Sequence, residues 1–248
     1  GAKVVTRWDP PADVIHLNTV LPCSLRAARR ARRRGLPVVW FGHSTEEDFR
    51  HSFTGSDLLA PLFRRWICHC YNQADLVLTP PPYSAGLLRS YGIRPPVAAL
   101  SNGVDTDFFA PDPALRAAFR QRCGLTGGTR AVISVGHYME RKGILDFIAL
   151  ARSMPQVQFF WFGYTPPSLV PRRVRKAMAQ APANLHFPGF VSQEGLREAY
   201  CGADAFVFCS HEETEGIVVL EALACGVPVL LRDIPVYRGW LEDGVNVY

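Results

Sequence analysis

The chain has 248 residues, of which 48% are hydrophobic and 20% charged, and these proportions exclude an extensively disordered protein. Its 27 Lys and Arg residues outnumber its 22 Asp and Glu residues, and the formal net charge of +5 favours anionic partners such as phosphate groups or an acidic membrane surface. Seven cysteines without paired CxxC spacing argue against a disulfide framework or a structural zinc site, so a reducing cytoplasm is expected.

Short runs of β-branched or aromatic residues alternate with longer helix-like segments along the chain. Four runs in the first half are predicted to be buried strands: 13–17, 37–41, 76–79 and 97–100. Five more follow after residue 110: 131–136, 157–163, 184–190, 205–210 and 227–231. This alternation predicts an α/β fold in which helices cover both faces of parallel sheets. No apolar run reaches the roughly 18 to 20 residues of a membrane-spanning helix.

The segment SNGVDTDFFAPDP, residues 101–113, interrupts the alternation and predicts a hinge. We therefore expect two doubly wound, Rossmann-like domains facing a cleft, the first at residues 1–110 and the second at residues 111–248. The first strand has no preceding strand and glycine turn, and the chain stops as if entering another strand. Both domains are accordingly expected to be incomplete, and the chain to be an internal fragment.

The stretch HEETEGIVVLEALACGVPVL, residues 211–230, places Glu213 and Glu221 at either end of an apolar segment. EGIVVLEALACG has the periodicity of a buried helix, with Gly226 as a left-handed stop. Because this helix directly follows a predicted strand, its unpaired N–H groups and partial positive charge would face the crevice at the carboxyl end of the sheet. A ligand with phosphate in its middle and hydroxyl-rich groups at both ends suits these features. A nucleotide sugar is such a ligand.

The spacing Glu213-x7-Glu221 followed by ALACGVPV resembles the hallmark of retaining GT-B glycosyltransferases of family four. ETEGIVVLEALA is similar in particular to the bacterial diacylglycerol glucosyltransferases. Three further stretches agree with that resemblance: residues 43–53, 101–109 and 141–164. The similarity covers nearly all of the chain.

The resemblance implies roles for individual residues in donor binding. It assigns Glu213 to hydroxyls of the transferred sugar, Glu221 to the ribose, and His43 to a position beside the donor sugar near its 6-hydroxyl. The other implied donor contacts are the side chains of Arg141 and Lys142, the backbone at Gly216, Ile217 and Val218 for the diphosphate, and the backbone at Phe190 and Val191 for the uracil edge. His43 and Glu213 are the residues closest to the reacting sugar in this assignment.

One position departs from the family pattern. Many members have an arginine directly after the glycine of the VG turn, where this chain has His137. Arg141, next to Lys142, is assigned as the second phosphate-binding cation in its place.

The resemblance further implies the reaction and its partners. The expected enzyme is a metal-independent retaining hexosyltransferase that transfers glucose from UDP-glucose to a lipid acceptor, and the acceptor expected from the resemblance is diacylglycerol. The expected reaction is a front-face reaction in which the leaving phosphate helps to deprotonate the acceptor. No cofactor is expected beyond the donor substrate. The enzyme would be cytoplasmic and peripheral on the inner face of the cell membrane, on an anionic membrane surface.

Each of these features also has a purely structural interpretation. Glu213 and Glu221 would be a carboxylate at a helix start and a buried, paired glutamate. Arg141 and Lys142 would belong to a solvated helix start, and His43 would be a loop or core histidine. The DTD of residues 105–107 imitates a metal-binding motif, but its place in the hinge predicts no metal site. The arginines of residues 29–34 form either a solvated helix face or a lipid contact, and residues 58–67 either core packing or a lipid-entry surface.

Three other functions remain open at this point. They are a family-four transferase with a polysaccharide, phosphoinositide or small-molecule acceptor, a non-catalytic nucleotide-sugar binder, and a nucleic-acid module. The absence of an aromatic-interleaved basic stretch argues against nucleic acid.

Overall fold

The computed structural model describes residues 12–50 and 56–248, and the chain divides into two compact units, Gly1–Ser101 and Asn102–Tyr248. The division falls earlier than the expected boundary after residue 110. The reason is local packing: Phe109 is buried and lies edge-on against Tyr200 of the second unit, with 6.2 Å between ring centroids. Residues 51–53 of the sequence motif at 43–53 lie outside the described residues.

The first unit is built on a parallel sheet, which has four strands among the described residues, in the order β1-β2-β3-β4. The strands are β1 (Ile15–Leu17), β2 (Val38–Phe41), β3 (Leu76–Thr79) and β4 (Val97–Ala99). The helices are α1 (Pro22–Arg33), α2 (Glu46–Phe49), α3 (Ser56–Tyr71) and α4 (Pro82–Ser90). Fully buried Trp40, Ile67, Val77 and Leu88 pack together between the sheet and these helices.

The second unit contains a five-stranded parallel sheet in the order β7-β6-β5-β8-β9. Its strands are β5 (Ala131–Val135), β6 (Gln158–Phe162), β7 (Leu185–Gly189), β8 (Ala205–Phe208) and β9 (Val229–Leu231). Its helices are α5 (Pro113–Arg122), α6 (Ile144–Ser153), α7 (Arg172–Ala179), α8 (Gln193–Gly202) and α9 (Ile217–Ala224), with short 3₁₀ turns at Glu140–Lys142, Pro167–Leu169 and Pro235–Tyr237.

The strand order of the second sheet reverses at β5. The chain runs from β5 outward through β6 to β7, then crosses back to place β8 on the other side of β5 and continues to β9. Connections that leave neighbouring strands in opposite directions open a crevice at the carboxyl ends of those strands, where ligands of doubly wound sheets bind. The crevice lies between the segments that follow β5 and β8.

Within the described residues all nine predicted strands are confirmed, with ends that differ by at most two residues. The helix predicted from EGIVVLEALACG is confirmed as α9, and Gly226 takes the predicted left-handed conformation with φ of 71°. All seven cysteines are free. None of the helices that the structure describes combines the length and apolar character needed to cross a bilayer.

Asp204, directly before β8, forms hydrogen bonds with α5 and β5 of the second unit. Its carboxylate accepts hydrogen bonds from Arg116 at 2.6 Å, from Arg120 at 3.2 Å and from the backbone N–H of Ala131 at 2.9 Å. Burial alone would raise the pKa of this carboxyl group, but the hydrogen bonds and charges of its partners outweigh burial and hold the pKa below its usual value. The ionised carboxylate therefore links α5 to β5 and to the start of β8.

We expect Asp204→Asn to lower the free energy of unfolding of the second unit by about 1 to 3 kcal/mol at pH 7, because hydrogen bonds to a charged acceptor are lost. A carboxyl group whose pKa is depressed by folding stabilises the protein above its unfolded pKa, and this contribution is lost as pH falls through the folded pKa. Urea unfolding of both proteins at pH 7 and pH 3 measures the difference, which should narrow at pH 3. Asp233→Asn, at an exposed pair with Arg238, is the control and should change little.

Candidate functional site

Two loops meet at the carboxyl ends of β5 and β8. We call residues 136–143 the β5 loop and residues 209–216 the β8 loop. The backbone N–H of His211 donates to the carbonyl of Arg141 at 2.8 Å, and the Ser210 hydroxyl donates to the same oxygen at 3.3 Å. Gly143 has φ of 76°, and a Cβ atom there would stand 2.1 Å from the carbonyl oxygen of Cys209. Only glycine allows the two loops to approach so closely.

A salt bridge between Lys142 and Glu213 joins the two loops. The Lys142 Nζ atom lies 2.6 Å from Glu213 Oε1, and the side chains are only 15% and 8% exposed. The lysine stem runs past Gly136, where a Cβ atom would stand 3.6 Å from Lys142 Cβ and Cγ, in ordinary van der Waals contact. An ammonium group carries three N–H donors, so Lys142 can bond Glu213 and still donate to an anion in the crevice.

The N-terminus of α9 opens on the same crevice. Gly216 caps the helix with φ of 83°, and Ile217 and Val218 are the first helical residues. The first backbone N–H groups of a helix have no partner within it, and the helix dipole adds partial positive charge there. Lys142 and this helix end therefore surround one crevice with donors suited to a phosphate group.

Glu221 lies inside α9 and is buried. The hydroxyl of Tyr200 on α8 donates to Glu221 Oε2 at 3.0 Å. Burial raises the pKa of Glu221, and the bond from Tyr200 acts in the opposite direction. Glu221 is therefore buried and paired, as its structural interpretation predicts, and the pairing uses one of its two carboxylate oxygens. Glu213 and Glu221 bond to different partners, Lys142 and Tyr200 respectively.

Arg141 is held by the β8 loop. Its Nη1 atom donates to the carbonyl oxygen of Glu212 at 2.8 Å, while its Nε atom is buried and has no hydrogen-bond partner among the described residues. This contact gives Arg141 a part in joining the loops, and its predicted bond to phosphate remains a prediction. His137, at the position where many family members have arginine, is exposed and pairs through Nδ1 with the carbonyl of Tyr164 at 2.9 Å.

Phe190 and Val191 follow β7, at the edge of the sheet. Phe190 is 81% exposed, which is unusual for a large apolar side chain. The turns after β5, β6 and β7 lie against each other: the N–H of Gly163 donates to the carbonyl of Gly189, and a Cβ atom on Gly163 would stand 2.1 Å from the carbonyl of Gly136. This chain of close backbone contacts connects the segment of residues 190–191 to the β5 loop.

His43 belongs to the first unit. It follows β2 after Gly42, is exposed, and stacks on Phe41 with 4.5 Å between ring centroids and an angle of 15° between planes. The next residues start α2 with a capping box, in which Thr45 and Asp48 bond each other's backbone N–H groups. The role of His43 beside a donor sugar remains a prediction.

Two contacts of the site were not predicted from the sequence. Glu215 is buried in the β8 loop, and its Oε2 atom accepts from the backbone and side-chain N–H groups of Asn102 at 3.1 and 2.6 Å. Tyr200 is the partner of Glu221. Both contacts join residues that are distant along the chain. The sequence does contain the two residues of the first contact, Glu215 in HEETEG and Asn102 in SNG, but nothing in the pattern pairs them.

The DTD segment has a structural explanation. Asp105 Oδ1 accepts hydrogen bonds from the backbone N–H groups of Asp107 at 3.1 Å and of Phe108 at 3.0 Å, as expected of an Asx turn. Across residues 12–50 and 56–248, no group of three or more His, Cys, Asp or Glu side chains is arranged to hold a metal ion.

The chain matches two family models. The model described as "Glycosyl transferases group 1" matches residues 116–248, and the model described as "Glycosyltransferase Family 4" matches residues 2–108. The first match lies within the second unit, and the second match covers nearly all of the first unit and extends to residue 108.

Several characterised proteins are similar in sequence. The processive diacylglycerol alpha-glucosyltransferase of Acholeplasma laidlawii is 43% identical over 242 residues, which are 97% of this chain and 72% of that protein. The alpha-galactosylglucosyldiacylglycerol synthase of Streptococcus pneumoniae is 32% identical over 238 residues, and the match covers 93% of this chain and 63% of the relative. The matched residues therefore span 72% and 63% of the length of these two relatives, respectively.

Solved structures share the fold. The HepE protein of Anabaena, in complex with UDP-glucose, superposes with a TM-score of 0.80 at 22% identity, covering 95% of this chain and 64% of that one. Sucrose-phosphate synthase from Thermosynechococcus elongatus gives a TM-score of 0.74 at 22% identity, covering 88% and 55%. The predicted α/β, GT-B fold class is confirmed.

We expect Gly143→Ala to destabilise the second unit by about 3 kcal/mol, since it combines a strained positive φ with a backbone collision at Cys209. Gly128→Ala is a matched control, because a Cβ atom there meets nothing within 4 Å. Thermal unfolding measures both. A Gly143→Ala protein as stable as the control would contradict the close approach of the two loops.

Proposed function

Because the chain belongs to the family of glycosyl transferases group 1, we propose that it transfers glucose from UDP-glucose to diacylglycerol, with retention of configuration, at a membrane surface. The observation that carries this proposal is the 43% identity to a diacylglycerol alpha-glucosyltransferase across 97% of the chain. A second relative is also named for a glycosyldiacylglycerol product.

The donor diphosphate would bind between Lys142 and the N-terminus of α9. When the bond from glucose to the diphosphate breaks, negative charge grows on the leaving phosphate. The Lys142 ammonium group and the backbone N–H groups at residues 216–218 are already in place, so they can stabilise that charge without reorganisation. This preorganised stabilisation is the main contribution to catalysis that we assign to the second unit.

The salt bridge with Lys142 suits Glu213 to contact the sugar. An unpaired carboxylate beside a diphosphate would repel it, whereas Glu213 is neutralised by an ammonium group at 2.6 Å. The remaining acceptor capacity of Glu213 can then receive hydrogen bonds from sugar hydroxyls. Lys142 would bridge the two parts of the donor, with one donor group on Glu213 and another on phosphate.

Glu221 would accept a hydrogen bond from the ribose, with Tyr200 fixing the orientation of its carboxylate. Phe190 and Val191 would meet the uracil edge, and His43 would lie near the sugar 6-hydroxyl.

Since the two glutamates are assigned to ligand binding, we assign no nucleophile. An α-linked product made from the α-linked donor requires retention, and a front-face reaction achieves it when the leaving phosphate oxygen takes the proton of the acceptor hydroxyl. The proposal includes no metal ion.

Diacylglycerol is confined to lipid, so the acceptor must be reached at a bilayer surface. The first unit offers charge and apolar area for that contact. The arginines of α1 at positions 26, 29, 30, 32 and 33 are exposed, and Leu58, Leu59 and Leu62 of α3 are 85%, 44% and 60% exposed. By contrast, Phe63 stacks on Phe49 and Trp66 donates to the carbonyl of Val20, so core packing accounts for these two residues of segment 58–67.

The proposed reaction is tested with the protein, UDP-glucose and diacylglycerol in vesicles that contain anionic lipid. We expect an α-glucosyldiacylglycerol product, identified by mass spectrometry and by the anomeric proton coupling in NMR. The reaction should proceed in EDTA, because the proposed site uses Lys142 and helix N–H groups in place of a metal ion. Product formation from another nucleotide sugar only, or a β-linked product, would contradict the proposed donor or stereochemistry.

We expect Lys142→Ala to lower kcat/KM by about 100- to 1000-fold, which corresponds to the loss of one preorganised donor to the transition state. Lys176→Ala, at an exposed lysine of α7, removes the same charge elsewhere in the second unit and serves as the control. A Lys142→Ala enzyme within twofold of the control would place the phosphate site elsewhere.

We expect the parent protein to bind vesicles more strongly as their anionic lipid content rises and more weakly as salt is added. Changing Arg30, Arg32 and Arg33 to Gln should weaken binding to anionic vesicles about tenfold or more, since each cation contributes on the order of 1 kcal/mol near such a surface. The control changes Arg172, Arg173 and Arg175 of α7 to Gln, which removes equal charge from the second unit. If both variants float with anionic vesicles to the same extent, the α1 arginines form a solvated helix face and do not contact the membrane.

A further inference from the structure

Tyr237 has a buried hydroxyl group without a partner. The residue is 5% exposed, and among the residues that the structure describes none forms a hydrogen bond with its Oη atom. Leaving a buried hydroxyl unsatisfied costs about 1 to 3 kcal/mol, so such a group calls for an explanation.

The hydroxyl lies at the N-terminus of α9. A Cβ atom added to Gly216 would stand 2.8 Å from Tyr237 Oη, which places this oxygen directly beside the backbone of the helix cap. The charge of Glu213 also acts on this hydroxyl: burial raises the pKa of Tyr237, and Glu213 raises it further. The group therefore stays protonated at neutral pH and is a neutral hydrogen-bond donor.

The backbone around Tyr237 holds the ring in place. The residue ends a 3₁₀ turn at Pro235–Tyr237, its N–H donates to the carbonyl of Ile234, and its carbonyl accepts from the N–H groups of Trp240 and Leu241. Its ring meets that of Trp240 edge-on at 5.9 Å between centroids. A donor fixed in this way loses little conformational freedom when a ligand binds.

We propose that Tyr237 is a further donor-binding residue, whose hydroxyl donates a hydrogen bond to the β-phosphate of the bound nucleoside diphosphate. The inference rests on the proposed function, which places the diphosphate at the N-terminus of α9. The orphaned hydroxyl beside Gly216 supplies an O–H donor where the helix supplies N–H donors. The phosphate oxygen would give Tyr237 the partner that it lacks in the protein itself.

The choice of the β-phosphate follows from the two glutamates. Glu213 is assigned to the sugar end of the donor and Glu221 to the ribose end. The Tyr237 hydroxyl lies beside Gly216, at the end of the β8 loop that carries Glu213, so this hydroxyl lies toward the sugar end of the diphosphate. The phosphate at that end is the β-phosphate, which also becomes the leaving group. Tyr237 would thus stabilise the same developing charge as Lys142.

The test compares Tyr237→Phe with the parent protein by calorimetric titration with UDP, UMP and UDP-glucose. Phenylalanine keeps the ring and removes only the hydroxyl. We expect affinity for UDP and for UDP-glucose to fall about tenfold or more, because a hydrogen bond to a charged oxygen is lost, while affinity for UMP stays the same. Thermal unfolding without ligand should show that the variant is at least as stable as the parent, since it no longer buries an unpaired hydroxyl.

The alternative outcomes each decide the question. Unchanged UDP affinity in the variant, with normal binding by the parent, overturns the role of Tyr237 and leaves the proposed donor intact. Equal losses for UMP and UDP would show an effect on packing, and a loss confined to UDP-glucose would show a contact with the sugar; either result overturns the assignment to phosphate. A parent protein that binds neither UDP nor UDP-glucose overturns this inference together with the proposed function.

Discussion

The candidate site depends on the contact between the β5 loop and the β8 loop. Gly143 lies so close to the carbonyl of Cys209 that any side chain would separate the loops, and this approach brings Lys142 within 2.6 Å of Glu213. The sheet order explains why the contact occurs here, because β5 and β8 are neighbours although about 70 residues separate them in the chain. Without that contact, the lysine and the helix end would not surround a common crevice.

Charge balance makes the crevice suitable for a donor with both anionic and hydroxyl-rich parts. Lys142 neutralises Glu213, while the N-terminus of α9 contributes positive potential that no carboxylate of the same helix turn cancels. Glu221 lies deeper, against the Tyr200 hydroxyl. Along the chain, the helix N-terminus lies between the two carboxylates Glu213 and Glu221, which is the order of sugar, diphosphate and ribose in the proposed donor.

The sequence was sufficient to predict the strands and α9, because buried parallel strands are short β-branched or aromatic runs and a glycine stop marks the helix end. Lys142 and Glu213 were selected through a family resemblance and not through periodicity; the structure pairs them, and their roles in donor binding stay predictions. The surroundings of Glu221, Asn102 and Gly216 could not be predicted in the same way. The positions of Tyr200, Glu215 and Tyr237 beside them depend on side-chain direction and on sheet order, and no local pattern encodes either.

The central claim is that the diphosphate of a nucleotide sugar binds where the β5 loop meets the N-terminus of α9. A crystal structure of the parent protein with UDP tests it most directly. The account predicts a β-phosphate oxygen within about 3 Å of Lys142 Nζ and of backbone N–H groups at residues 216–218, with the ribose beside Glu221. A UDP molecule bound to other residues, with the Lys142–Glu213 pair away from its phosphates, would contradict the claim.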